Sequence, residues 1–183
     1  MRTWRRRSCD RNSRRESVRR RFLLFYVLIV SIFFCDISCR NKAKEEAIYA
    51  QRIGDLADVI LVQSSACLNQ TKAYSAVWEY VRVTGEDFDS AAKHILGPAR
   101  AEAKGQFHMN KMNIDDFMQK VENPTEKYRY AHEKLREIYA LYVKLHELAL
   151  KPAAPREEYE ASAYRLYDEL LNKSGEMKKL LGE

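Results

Sequence analysis

The sequence predicts an all-α fold: an elongated antiparallel bundle of three long helices and one broken helical segment, behind an N-terminal signal or anchor helix. Three observations predict it. Beyond residue 40, apolar residues recur at alternating three- and four-residue steps, the spacing that lines one face of a helix. Gly and Pro number only 6 and 4 in 183 residues, and they fall where such helices would turn. No β-branched run alternates in polarity, and no Asn-Gly or Asp-Gly pair marks a hairpin. The chain divides accordingly into a leader, residues 1–39, and a single helical domain, residues 40–183.

The first helix is expected from Lys42 to Arg82. Tyr49, Ile53, Leu56, Ile60, Cys67, Tyr74, Val77 and Val81 form its stripe, and Gln63 and Gln70 fill two polar places in the same seam. Gly54 or Ser64-Ser65 would be the place for a kink. Thr84-Gly85 ends this run, and Thr84 with Asp87 three residues on has the form of a new helix start. Phe88, Ala91, Ala92 and Ile95 then give a short apolar face that Gly97-Pro98 breaks. Ala99 to Asn113 is the least regular stretch of the body. Asn113 is expected to cap a short helix carrying Ile114, Phe117 and Val121, with Asp115 and Asp116 in its first turn, where the helix dipole favours anions.

Asn123-Pro124-Thr125-Glu126 has the pattern of a further start, with Asn at the cap, Pro at the first helical position and Glu at the third. Tyr128, Ala131, Leu135, Ile138, Tyr142, Leu145 and Ala149 follow it as an unbroken 3-4 repeat. Lys151-Pro152-Ala153-Ala154-Pro155 is a short hinge. Pro155 with Glu157 and Glu158 opens a last helix through Leu181, faced by Tyr159, Ala163, Leu166, Leu170, Met177 and Leu181, with Ser174-Gly175 its weak point. So short a hinge turns the last two helices antiparallel.

Charge separates leader from body. The first 21 residues hold ten arginines against Asp10 and Glu16, a net +8 in a protein of net +6, so the remainder carries −2. The body therefore offers no basic field for nucleic acid. Phe22 to Cys35, FLLFYVLIVSIFFC, follows Arg19-Arg20-Arg21 and is closed by Asp36. Fourteen residues, with Ser31 the only clearly polar one, suit the core of a secretory signal, whereas a spanning helix needs about 20 apolar residues. A retained, uncleaved anchor is the rival reading. Cationic flanks stay on the cytoplasmic side, so either reading exports the body. Residues 1–17 add little to such a signal, and Val18 is a candidate initiator.

Two further resemblances bear on the leader. Ile37-Ser38-Cys39 resembles the end of a bacterial lipoprotein signal, which implies lipid attachment at Cys39. Asp36 departs from that pattern, and Cys35, with Ile32 before it, is the weaker alternative because Phe34 replaces a small residue. Buried acyl chains, at about 0.8 kcal/mol per methylene, would hold the domain on a bilayer. Arg19-Arg20-Arg21-Phe22-Leu23 also resembles the twin-arginine export pattern, with a core unusually apolar for it. After acylation of Cys39, Cys67 remains as a single thiol on a helical stripe and is expected to be a small buried residue.

No residue pattern calls for catalysis. His146-Glu147 lacks the second histidine of His-Glu-x-x-His, and Ala91, Gly105, Arg129 and Val143 precede His94, His108, His132 and His146 by three where a di-iron bundle needs Glu. The four histidines are expected at the surface or rim. Nucleophile elbows, phosphate-cradling loops and Cys-x-x-Cys are lacking, and Glu133, Glu137, Glu157, Glu158 and Glu160 sit beside Lys or Arg as on solvated helix faces. We expect no cofactor and no metal. Tyrosine is the compositional oddity: seven of eleven lie in the last two helices, and Tyr130, Tyr139, Tyr164 and Tyr167 fall at the margins of their stripes. Tyr buries area while keeping a hydroxyl to bond with, so these four are the candidate partner-binding residues. The expected protein is an exported, membrane-tethered interaction or scaffold element of a cell envelope, meeting a protein partner or its own copy. The alternative is a bundle enclosing a small ligand or cofactor, with Gln63, Gln70 and histidines turned inward.

Overall fold

The computed structural model describes residues 6–152 and 155–182, with side chains from residue 42. The chain forms two compact units, Met1–Glu45 and Glu46–Glu183. The described elements are α1 (Arg6–Thr84), α2 (Phe88–Lys120), a 3-10 turn (Glu126–Tyr128), α3 (Arg129–Leu150) and α4 (Arg156–Leu181), and there is no strand among the described residues. The apolar run Phe22–Cys35 and the lipid-attachment candidate Cys39 lie outside the residues whose side chains are described. Among the described residues no helix is long and apolar enough to cross a membrane. The packing of helix on helix belongs to the second unit.

Specific contacts set the course of each helix. Tyr49 with Val121, Gln63 with Asn110 and Arg100 with Tyr74 run α1 and α2 in opposite directions. Asp115 with Tyr139 and Phe107 with His146 do the same for α2 and α3. Lys134 with Glu176, Lys173 with Glu137 and Tyr159 with Leu148 reverse α4 on α3. Asp58 with Lys178, Lys72 with Tyr164 and Glu79 with Arg156 close α4 back onto α1. The unit is thus an up-down-up-down four-helix bundle, the topology short connections favour.

Its core follows the predicted stripes of α1, α3 and α4, while Ile95, expected on an apolar face of α2, is 43% exposed. Ile53, Ile60, Cys67, Leu135, Ile138, Tyr142, Leu145, Leu170 and Met177 are fully buried in one cluster. Each such aliphatic side chain contributes roughly 1.5–3 kcal/mol by leaving water. Leu68 and Leu141 join them off the predicted stripes, because a bundle helix touches two neighbours and needs a face wider than one seam. A second, small cluster of Val77, Ala91 and Ala92, flanked by Tyr80, Val81, Phe88 and Leu96, stands at the far end of α1.

Helix ends show where sequence and structure part. α1 continues through Gly54 and Ser64-Ser65 without a break and ends at Gly85, whose φ of 73° and N–H to Val81 O, 2.8 Å, form a left-handed cap. Thr84 does not start α2. Its hydroxyl is turned back to Tyr80 O, 2.9 Å, and Asp87 caps instead, accepting from Asp89 N at 3.1 Å and Ser90 N at 2.9 Å. The Gly97-Pro98 break is real, with Gly97 at φ 45°, ψ −136°. Beyond it the chain is helical to Lys120, so Asn113 lies inside a helix and caps nothing; burial of Phe107 and Ile114 holds the stretch that lacks a clear pattern.

Asn123 is likewise not a cap. A 3-10 turn intervenes, Thr125 stands at its cap position, and Tyr128 N donates to Thr125 O at 3.0 Å. Tertiary contact explains the delay: Tyr128 stacks on Tyr49 at 6.2 Å, and the Tyr49 hydroxyl donates to Val121 O at 2.9 Å, fixing the end of α2 first. At the end of α3, the carbonyl of Leu148 would look for the N–H of residue 152, which is Pro and has none. The Tyr159 hydroxyl of α4 fills that place at 2.8 Å. α4 then runs unbroken past Ser174-Gly175.

Candidate interaction surface

The four candidate tyrosines do not share one patch. Tyr139 turns toward α2, where its hydroxyl donates to Asp115 Oδ1 at 2.5 Å while Lys111 Nζ holds the other carboxylate oxygen at 2.6 Å. Burial would raise the Asp115 carboxyl, but the Lys111 and Tyr139 hydrogen bonds outweigh it and hold the group below its ordinary range. Burial, then the bond to Asp115, raises the Tyr139 phenol. Tyr167 is half-buried against the main cluster. Tyr130 and Tyr164 are the exposed pair, at 64% and 45%. Arg129 stands 5.6 Å from the first ring and Lys72 5.6 Å from the second. Lys134–Glu176 and Lys173–Glu137 fix the register of α3 on α4, which puts Tyr130 and Tyr164 roughly 24 Å apart along the bundle.

Tyr139 also lines a groove of about 530 Å³ with Lys111, Met118, Arg136 and Val143, and a further concave surface lies on the other side of α2. A groove of about 470 Å³ runs between α1 and the end of α2, lined by Arg52, Asp55, Leu56, Val59, Phe117, Lys120 and Val121. Phe117, expected on the core face of its helix, is instead 50% exposed, with Lys120 Nζ 4.8 Å above its ring. The turn that brings Ile114 and Val121 inward points Phe117 about 40–60° away, toward the flank of α1. Higher in the same seam, Asn110 Nδ2 donates to Gln63 Oε1 at 2.6 Å and Gln106 Nε2 donates to Asn110 Oδ1 at 2.8 Å. Gln63 therefore serves the α1/α2 contact rather than an internal site.

Two histidines correct the sequence reading. His94 and His108 are exposed, but His132 and His146 are buried, at 7% and 3%. His146 Nε2 lies 3.2 Å from Phe107 O, a contact that requires a hydrogen on that nitrogen. Burial depresses both imidazoles, and Arg136 adds to the effect at His132. Cys67 is free and buried, its thiol pushed up to about 12, which removes the thiolate that reactivity needs. Ser64, Tyr142 and Ser174 carry buried hydroxyls without a hydrogen-bond partner.

Ion pairs are mostly peripheral. Glu137 accepts from Lys173 at 2.6 Å and Lys134 at 3.2 Å, and these two cations hold its carboxyl down. Glu79 bridges Arg82 and Arg156 in the same way. Solvent reaches all of these and screens them, so they set register and surface geometry more than stability. No group of three or more His, Cys, Asp or Glu residues stands close enough to hold a metal ion among the described residues. Set against family models, characterised proteins and solved structures, the chain matches none.

Proposed function

We propose that this chain is an exported, membrane-tethered helical protein that works as an interaction or scaffold element of a cell envelope, without catalysis. The observation that carries the reading is the leader: three consecutive arginines, a fourteen-residue run in which Ser31 is the only clearly polar residue, and a cysteine at 39, ahead of a body of net charge near zero. The helical unit supplies surfaces rather than a reaction centre. Its groove at Arg52, Val59, Phe117 and Lys120 is one place for a protein partner, and Tyr130 and Tyr164 offer two further separate ones. Lipid at Cys39 is part of the proposal.

Cell fractionation with intact-mass measurement of the membrane-extracted chain tests it. We expect membrane recovery and an acylated residue 39; full-length, unmodified chain in the cytosol overturns the reading. A second reading, a bundle that encloses a small ligand, draws on the buried His146 and on the unpartnered hydroxyls of Ser64, Tyr142 and Ser174. Native mass and an absorption spectrum of the purified chain separate the two, since a bound group adds mass or absorbance.

A further inference from the structure

The groove between α1 and the end of α2 has two chemically different ends. Leu56 and Val121, both buried, form its floor, and the exposed Val59 and Phe117 form its walls. Arg52 on α1 and Lys120 on α2 complete it with two cations. Tyr49 with Val121 and Gln63 with Asn110 set the antiparallel register of the two helices. That register brings Arg52 and Lys120 to nearly the same level, one from each side, while Val59 stands two turns further along α1, about 10 Å away. The groove is therefore cationic at one end and apolar beyond it.

Its cations lack anions. Among the described residues neither Arg52 nor Lys120 has a carboxylate within ion-pair distance. Lys120 instead lies over the face of Phe117, 4.8 Å from the ring centre. Asp55 lines the groove too, but the helical turn carries it about 60° beyond Arg52, away from the core and onto the outer lip of α1. Two cations and one carboxylate leave the groove one positive charge in excess.

We propose that this groove binds a small organic monoanion, in place of a segment of a protein partner. The ligand is a carboxylate on a single apolar body, its head between Arg52 and Lys120 and its body laid over Leu56 and along Phe117 and Val59. A guanidinium presents paired N–H donors that match the two oxygens of a carboxylate, and the ammonium opposite supplies a further donor. One negative charge balances the excess positive one. The volume, about 470 Å³, falls among the roughly 300–1,000 Å³ of small-molecule sites. A length of about 10 Å takes one chain or ring system rather than the two chains of a phospholipid. The half of Phe117 that faces water is covered when the apolar body lies against it. All of these residues belong to the helical unit, so the site stands whether or not the leader tethers the chain.

Photoaffinity labelling of the full chain, in whichever cell fraction holds it, tests this. The probe is decanoic acid with a diazirine at its far end; the amine of equal length and a two-chain phosphatidylglycerol, each bearing the same group, are the comparisons. The acid should label the chain around Val59 and Phe117 several-fold above either comparison. Arg52→Gln with Lys120→Gln should reduce that labelling about tenfold, since both charged donors are lost. Val59→Trp, which fills the apolar end, should abolish it. All three positions are exposed, so the helical circular dichroism should not change. Equal labelling by acid and amine, or labelling that survives the double Gln variant, overturns the carboxylate site. Preference for the phospholipid, or labelling by none of the three, as when a protein segment fills the groove, overturns it as well. Should a variant lose helix, the comparison of acid with amine on the wild-type chain decides alone.

Discussion

Tyr142 and Tyr159 are both buried in the bundle, at 0% and 3% exposure, and differ in one respect. The Tyr142 hydroxyl has no hydrogen-bond partner, whereas that of Tyr159 supplies the hydrogen that Leu148 O lacks because residue 152 is Pro. Replacing each by Phe leaves the packing intact and removes the oxygen alone. For Tyr142 the folded state sheds a polar group that gave up water for nothing, a penalty of about 1–3 kcal/mol, so Tyr142→Phe should gain about 1 kcal/mol. For Tyr159 the bond is lost and a half-buried carbonyl is left without its partner, so Tyr159→Phe should lose about 1.5 kcal/mol. In a domain of this size those changes move the unfolding midpoint by roughly +3 and −5 °C. Thermal unfolding of the full chain in mild detergent, followed by near-ultraviolet circular dichroism, measures both. Equal destabilisation by the two substitutions would refute the reasoning, since Tyr142 would then be bonded as productively as Tyr159.

Two glycines should respond in opposite directions. Gly97→Ala meets no atom within 4 Å but must hold φ at +45°, and should cost about 1–2 kcal/mol in unfolding free energy. Gly175→Ala, inside α4 and equally unobstructed, should gain about 0.5–1 kcal/mol; the same denaturation assay reads both. His132 and His146 both have imidazoles depressed below 6.5 in the folded chain, chiefly by burial. The unfolded chain therefore binds protons first, so this stabilisation is complete above pH 6.5 and declines as the pH falls below it. Unfolding midpoints between pH 7.5 and 5 should drop, and His146→Gln should flatten the profile; an unchanged slope would mean the ring titrates alike in both states.

The long-period features of the fold were legible in the residues because they depend on repetition. The stripe Tyr128, Ala131, Leu135, Ile138, Tyr142, Leu145, Ala149 is buried in full, and Gly97-Pro98 interrupts α2 where sterics require. Caps were less legible. Thr84, Asn113 and Asn123 all have the right chemistry, but a cap needs a free helix end, and tertiary contacts placed the ends at Asp87, Thr125 and within the long α2 instead. His132 and His146, expected at the surface or rim, are buried; an imidazole on the margin of a stripe is polar by composition and buried only if a neighbour covers it.

The Gly97-Pro98 break divides the work of α2. Ahead of it, Phe88 to Leu96 packs on Val77, Tyr80 and Val81 in a cluster of its own, with Trp78 4.8 Å from Phe88. Behind it, Phe107 and Ile114 belong to the main core. Arg100 links the two sides through Asp89 at 3.7 Å, a contact open to water on the carboxylate side. Pro98 supplies no N–H to the ladder at the kink, so the segment before Gly97 is held by side chains: Phe88 packs on Tyr74 at 6.2 Å and on Trp78, which lies 5.1 Å from Tyr159 of α4, and these rings do for the segment what the interrupted ladder does not.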